Sequence, residues 1–313
     1  MTTLERDLFS ADTKLYDCFP GGNDTFMVLN SSFKREHYPR INQLVLERFN
    51  RFEQGAVLEQ ASNGAVLRMQ MTGGEFCGNA ARSAAALVAT TYHGNRELDS
   101  VADYGAIREE GNTLLFRLEV SGTNSLISAR VSPGQDGWDV EIELPRMAER
   151  KVQSDVLLTL DNGTVPCTVV TLEGISHILI PEYHMHFRND QERFQILVAD
   201  VIEQLGWDEM GAFGLIWTRK ERGYHAIEPV VYVKAIQTCI YESACGSGTI
   251  AVALALTTEG QSNSTSVRQP SGAVLEATID YSDSAEGIGA KLRGPVQIRR
   301  DLNASLPQRA ANE

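Results

Sequence analysis

Two stretches of the chain share one design. The first runs Glu75-Phe76-Cys77-Gly78-Asn79-Ala80-Ala81-Arg82-Ser83 and continues into Ala84-Ala85-Ala86-Leu87-Val88. The second runs Glu242-Ser243-Ala244-Cys245-Gly246-Ser247-Gly248-Thr249 and continues into Ile250-Ala251-Val252-Ala253-Leu254. Each sets an acidic residue, a cysteine and a small flexible segment ahead of an apolar, Ala-rich run. The cysteines stand 168 positions apart (245 minus 77). A fold that uses both must therefore bring two distant helix starts to one place.

The flanking chain reads mostly as strands. In the first half these are expected at 15–19, 26–30, 56–60, 65–71, 114–120, 125–131 and 139–144. In the second half they are expected at 152–160, 164–172, 177–180, 214–217 and 229–233, with hairpin strands to Gly294. Ile41, Leu44, Val45, Leu46 and Phe49 recur at helical spacing and predict an amphipathic helix over 38–52. A second helix is expected over 190–205. Residues 1–13 read as a polar lead-in, and 308–313 as a disordered end. Asn63-Gly64 predicts a hairpin turn. Pro20-Gly21-Gly22-Asn23-Asp24 is a sharp turn that either closes a hairpin or aims Asn23 into a cleft. The class is α+β, with two pseudo-symmetric domains, each mostly antiparallel β with one central helix. The change of domain is placed at Pro145: residues 1–144 carry Cys77 and residues 145–294 carry Cys245.

Charge and cysteine usage bound the function. The chain has 28 basic and 41 acidic residues among 313, a net charge of −13. This argues against a nucleic-acid partner and an anionic membrane surface. The longest apolar run, 250–256, is too short to span a bilayer, and no apolar leader opens the chain. Five cysteines at irregular spacing point to free thiols in a reducing compartment, here the cytoplasm. Without a Cys-x-x-Cys pair, no metal site is expected.

A cysteine at a helix N-terminus sits in the positive end of the macrodipole, which lowers its pKa and favours the thiolate. Gly78-Asn79 and Gly246-Ser247-Gly248 leave backbone N–H groups free to bind a carboxylate. One such cysteine is often just a small core residue; two in the same setting point to a site. Cys18, Cys167 and Cys239 lack those surroundings and read as core. Two thiols on opposite faces of an amino acid Cα would invert it: one takes the proton and the other returns one. The helix termini would stabilise charge developing on the carboxylate.

These residues resemble the diaminopimelate epimerase family of cofactor-independent epimerases and racemases, whose wider superfamily includes phenazine-biosynthesis-type isomerases. Gly22-Asn23-Asp24, Cys77-Gly78-Asn79-Ala80-Ala81-Arg82, Gly174-Ile175-Ser176-His177, Ala244-Cys245-Gly246-Ser247-Gly248 and Gly294-Pro295 carry the resemblance. It implies that each half is a β-sheet or barrel wrapped round a central helix, with a C-terminal strand over about 295–303 returning to the first half. It implies catalytic Cys77 and Cys245, substrate contacts from Asn23, Gly78, Asn79, Gly246, Ser247, His177 and Gln70, and no cofactor. Glu242 reads as a capping or solvent-facing acid, and Gln237 stands near the place of a family glutamate. The departures concern the substrate's far end: Ile175 replaces an Asn, Gln70 or Met71 stands where another belongs, and no Glu-Arg pair precedes Cys245. The expected ligand is a single amino acid, histidine or another, rather than diaminopimelate. A homodimer, diaminopimelate epimerase proper and a non-catalytic or redox amino acid-binding homologue stay open as alternatives.

Overall fold

Both Ala-rich runs are helices enclosed by strands. The computed structural model describes residues 2–30, 32–94, 97–282 and 287–301. Its helices are α1 (Thr3–Leu8), α2 (Tyr38–Arg48), α3 (Gly78–Tyr92), α4 (Gln191–Leu205) and α5 (Gly246–Leu256). The first strands are β1 (Lys14–Phe19), β2 (Thr25–Leu29), β3 (Gln54–Glu59), β4 (Arg68–Met71), β5 (Arg108–Glu110), β6 (Thr113–Val120), β7 (Ile127–Gly134) and β8 (Gly137–Met147). Then come β9 (Val152–Leu160), β10 (Gly163–Leu172), β11 (Ile175–Pro181), β12 (Ala212–Glu221), β13 (Tyr224–Val233), β14 (Thr238–Tyr241), β15 (Asn263–Arg268), β16 (Val274–Asp280) and β17 (Ile288–Asp301).

Strand pairing runs β1–β2–β3–β4–β6–β7–β8–β17 and back to β1, a closed barrel. Inside it lies α3, packed against most of those strands. A helix surrounded on all sides must be apolar all round and slim, and alanines supply both properties. Its one charged residue, Arg82, is fully buried. The guanidinium donates to the carbonyls of Pro20 (2.8 Å) and Pro295 (3.3 Å) and to Asn79 Oδ1 (2.8 Å).

The second run of pairings is β9–β10–β11–β12–β13–β15–β16–β17, wrapped round α5. On the outer face of β10–β13 lies α4, burying Phe194, Leu197, Val198 and Val201. Asp190 caps its N-terminus and Gly206, left-handed at φ 64°, closes it. The long β17 belongs to both pairings, meeting β16, β8 and β1.

Several local expectations change. Residues 3–8 form α1 rather than a frayed lead-in, because Thr2 and Glu5 make a reciprocal capping box. Helix α2 stops at Arg48. The apolar pattern continues beyond it because Phe49 and Phe52 pack in an aromatic cluster with Phe9 and Phe26. The hairpin after β3 closes with a longer loop than Asn63-Gly64, since Glu59 pairs with Arg68. Pro145 lies within β8, which runs on to Met147. Residues 308–313, and 302–303 of the expected last strand, lie outside the described residues.

Candidate active site

Cys77 and Cys245 hold the same position in two helices. Each is the N-cap residue, at φ −134°, ψ 112° for Cys77 and φ −132°, ψ 108° for Cys245. Each Sγ accepts the N–H three residues on, from Ala80 or Gly248, at 3.4 Å. Sulfur here does what a serine or aspartate oxygen does at an ordinary cap.

The two helix starts meet. A Cβ built on Gly78 would lie 3.8 Å from the Gly246 carbonyl carbon, and one on Gly246 only 2.9 Å from Asn79 Oδ1. Glycine at 246 thus lets the termini approach, whereas the tight contact of a Cβ at 78 would be with Leu292 Cδ2, at 2.9 Å. Asn79 Nδ2 donates to the Ala244 carbonyl at 3.0 Å and ties one terminus to the other. Both cysteines line one cleft. Its polar wall holds Asn23, Glu53, Gln54, Glu75, Glu242 and Ser247, and its apolar wall Phe76, Ile175, Val231, Val233, Ile236 and Ile240. Among the described residues, no Lys or Arg lines it.

Long-range contacts assemble that cleft. Gln54, in β3, accepts from the Cys77 thiol at 3.1 Å and donates from Nε2 to Thr25 Oγ1 at 2.8 Å. Gln269 Oε1 accepts from the Cys245 N–H at 2.9 Å, and its Nε2 donates to Thr249 Oγ1 at 3.0 Å. The Glu53 carboxylate accepts from both the N–H and the hydroxyl of Ser243. Gly22, at φ 112°, passes so close to Ser243 that a Cβ would stand 2.7 Å from its carbonyl oxygen. That contact delivers Asn23, whose N–H donates to Ser243 Oγ at 2.6 Å. Asn23 is 1% exposed, and its Oδ1 has no hydrogen-bond partner among the described residues. The turn therefore does more than close a hairpin: it sets Asn23 in the lining of the cleft.

The electrostatics correct the expectation of a lowered thiol pKa. Burial, then Glu242, push Cys77 up to about 12, against the Ala80 N–H. The same causes raise Cys245 well above the ordinary thiol value, against Ser247 and the Gly248 N–H. Helix-terminal donors act in the expected direction, but desolvation beside carboxylates outweighs them. Burial also raises Glu242 to about 8 and Glu75 to about 7. Glu53 is raised by burial too, with the Ser243 hydrogen bonds opposing.

Of the residues singled out from sequence, Cys77, Cys245, Asn23, Gly246 and Ser247 meet at the cleft. Ile175 and Glu242 line it too, while Gly78, Asn79, Gln70, His177 and Gln237 lie outside the lining. Gly78 and Asn79 are buried where the helix starts touch, and Asn79 acts as a tie. Gln70 accepts from Arg68 at 2.8 Å. His177 is fully buried over Gly214, with neither ring nitrogen partnered among the described residues, and burial lowers its pKa to about 3. Gln237 is exposed. Glu242, read as a cap or a surface acid, is 8% exposed and faces the thiols. Glu53, Gln54, Glu75 and Gln269 were not anticipated. Glu75 stands two residues before Cys77 in a unit already noticed, which was the available signal; the others sit at strand ends with no local motif.

A family model described as the histidine racemase CntK N-terminal domain matches residues 13–301. A histidine racemase of Fusobacterium nucleatum subsp. nucleatum is 26% identical over 281 residues, covering 89% of this chain and 92% of that one. A histidine racemase of Staphylococcus aureus is 25% identical over 280 residues, covering 86% and 91%. Among solved structures, the Bacillus anthracis phenazine biosynthesis protein of the PhzF family superposes with a TM-score of 0.59 at 13% identity, over 92% of this chain and 97% of that one. A PhzF family protein from Enterococcus faecalis gives 0.52 at 12%, with the same coverage. At such identities these two describe the fold alone: strand-rich, barrel-forming, with enclosed helices. The chain belongs to the histidine racemase CntK N-terminal domain family, and it is an isomerase acting on an amino acid.

Proposed function

We infer that the protein racemises histidine, or a closely similar amino acid with one carboxylate, by proton transfer at Cα between Cys77 and Cys245, without a cofactor. The observation that carries this reading is the pair of cysteines in matching cap geometry on apposed helix starts, lining one cleft. One thiolate takes the Cα proton as the C–H bond breaks; the opposing thiol delivers its proton to the other face and becomes the thiolate. Reversal of roles runs the reaction backwards.

The cleft's charge fits such a substrate. With no basic side chain in the lining, a carboxylate has the helix N-termini as its donors. A second carboxylate, as in diaminopimelate, would lack a cationic partner. Glu53, Glu75, Glu242 and the free Asn23 Oδ1 supply acceptors for an ammonium and for ring N–H groups. Phe76, Ile175 and Val231 offer an apolar face to a flat ring. A substrate ammonium brought beside the thiols adds the positive charge that favours thiolate. The relatives named histidine racemase support the same choice.

The test is L-histidine in heavy water under reducing conditions, without pyridoxal phosphate. D-Histidine carrying deuterium at Cα is expected. Full racemisation by Cys77→Ser or Cys245→Ser would sink the two-thiol mechanism, as would a strict need for added pyridoxal phosphate.

A further inference from the structure

The segment that leads into Cys77 is held by two turns that line the barrel from different parts of the chain. Ser121, just after β6, is 2% exposed. Its Oγ accepts from the Met71 N–H at 2.9 Å and donates to the Glu75 carbonyl at 2.8 Å, spanning both ends of the link between β4 and α3. Gly122 follows at φ 77°, its backbone laid against the Glu75–Phe76 peptide: a Cβ there would stand 2.2 Å from Phe76 N. Gly174, in the tight turn between β10 and β11, stacks on Gly122 in turn. At φ 80°, its Cβ would lie 2.4 Å from the Gly122 oxygen and 3.0 Å from Phe76 Cβ. The Asn124 N–H donates to Glu173 at 3.2 Å and joins the two turns.

Three backbones are thus layered directly behind the residue that precedes the thiol. At Cys245 the corresponding contact comes from Gly22, whose Cβ would stand 2.7 Å from the Ser243 oxygen, and Gln269 holds the Cys245 N–H. We propose that Ser121, Gly122 and Gly174 form a clasp that sets the position of the Cys77 thiol relative to Cα, so that the turn at Gly174, from the half carrying Cys245, governs the reach of the opposite thiol. The clasp residues are positioning residues: none lines the cleft. This rests on the two-thiol reading above.

The experiment measures the Cα-deuterium isotope effect on kcat/KM for each antipode of histidine, with Ser121→Ala and Gly174→Ala beside the wild type. Displacement of one thiol makes its proton abstraction more rate-limiting and leaves the other's less so. The isotope effect should therefore rise for one antipode and fall towards unity for the other, with kcat/KM down about tenfold or more, as misplacement by a fraction of an ångström costs. A simple loss of folded protein lowers the rate and leaves both isotope effects where they were. Should Gly174→Ala not fold, Ser121→Ala, which deletes only the bridging hydroxyl, decides alone. Isotope effects that move together, or not at all, overturn the clasp while leaving the two-thiol reading standing. Full racemisation by Cys77→Ser or Cys245→Ser removes both.

Discussion

Asn79 Nδ2 donates to the carbonyl of Ala244 at 3.0 Å, across 165 residues of sequence. Its Oδ1 accepts from Arg82 at 2.8 Å, so one carboxamide joins the helix starts and also satisfies a buried guanidinium. Asn79→Leu keeps the size and removes both bonds. It should destabilise the protein by about 1–3 kcal/mol, the cost of leaving buried groups unpaired. Urea unfolding measures the loss, and racemisation should fall further than the folded fraction does.

Glu242 has a folded pKa of about 8 against an ordinary 4.5, raised by burial first. Over that interval the folded state holds a proton that the unfolded chain has released. Stability from this group is therefore present at low pH and lost as pH rises through about 8. Glu242→Gln should lose less thermal stability than the wild type between about pH 5 and about pH 8, as read by Tm. An equal loss in both proteins would count against a buried, protonated Glu242.

His177 has the opposite sign. Burial holds it at about 3 against an ordinary 6.5, so the unfolded chain takes up a proton that the folded state refuses. Stability falls as pH drops through 6.5 towards 3. His177→Leu should be less acid-sensitive than the wild type in urea midpoints at about pH 7 and about pH 4.5, and no less stable at the higher pH, since two unpartnered ring nitrogens are removed.

Cys77 is the least enclosed of the five free cysteines: it is partly buried, and the other four are buried. Iodoacetamide should label it first, as peptide mapping would read. Labelling should be slow near neutrality and quicken with pH, because the thiol is held up at about 12. Histidine in the cleft should protect it. Equal labelling of Cys18 and Cys77 would contradict the burial pattern.

The cysteine units were legible because each is local: cap, flexible step and Ala-rich run lie within a dozen residues. The strands were legible for the same reason, through alternation and turn residues. Gln54 and Gln269 were not, because each reaches its cysteine from a strand or strand end distant in sequence, and a glutamine in a strand carries no signal of its own. The direction of the thiol pKa was missed for a related reason. A helix terminus can be read from neighbouring letters, whereas desolvation beside Glu242 depends on how the whole cleft closes. Asn79 shows the reverse case: its place in the motif was seen, but its work proved to be holding the two helices together.

Strand β17 pairs with β1, β8 and β16 and covers α3. A chain emerging from the ribosome presents β1 and β8 long before their common neighbour exists. The barrel round α3 can close only when residues 288–301 arrive, after every other described strand has been made. Its folding must wait on contacts of the highest sequence separation the chain contains, which is the slow class of topology. Until then the Ala-rich helix stands open on one side, and its start at Gly78 lacks the cover that Leu292 of β17 supplies.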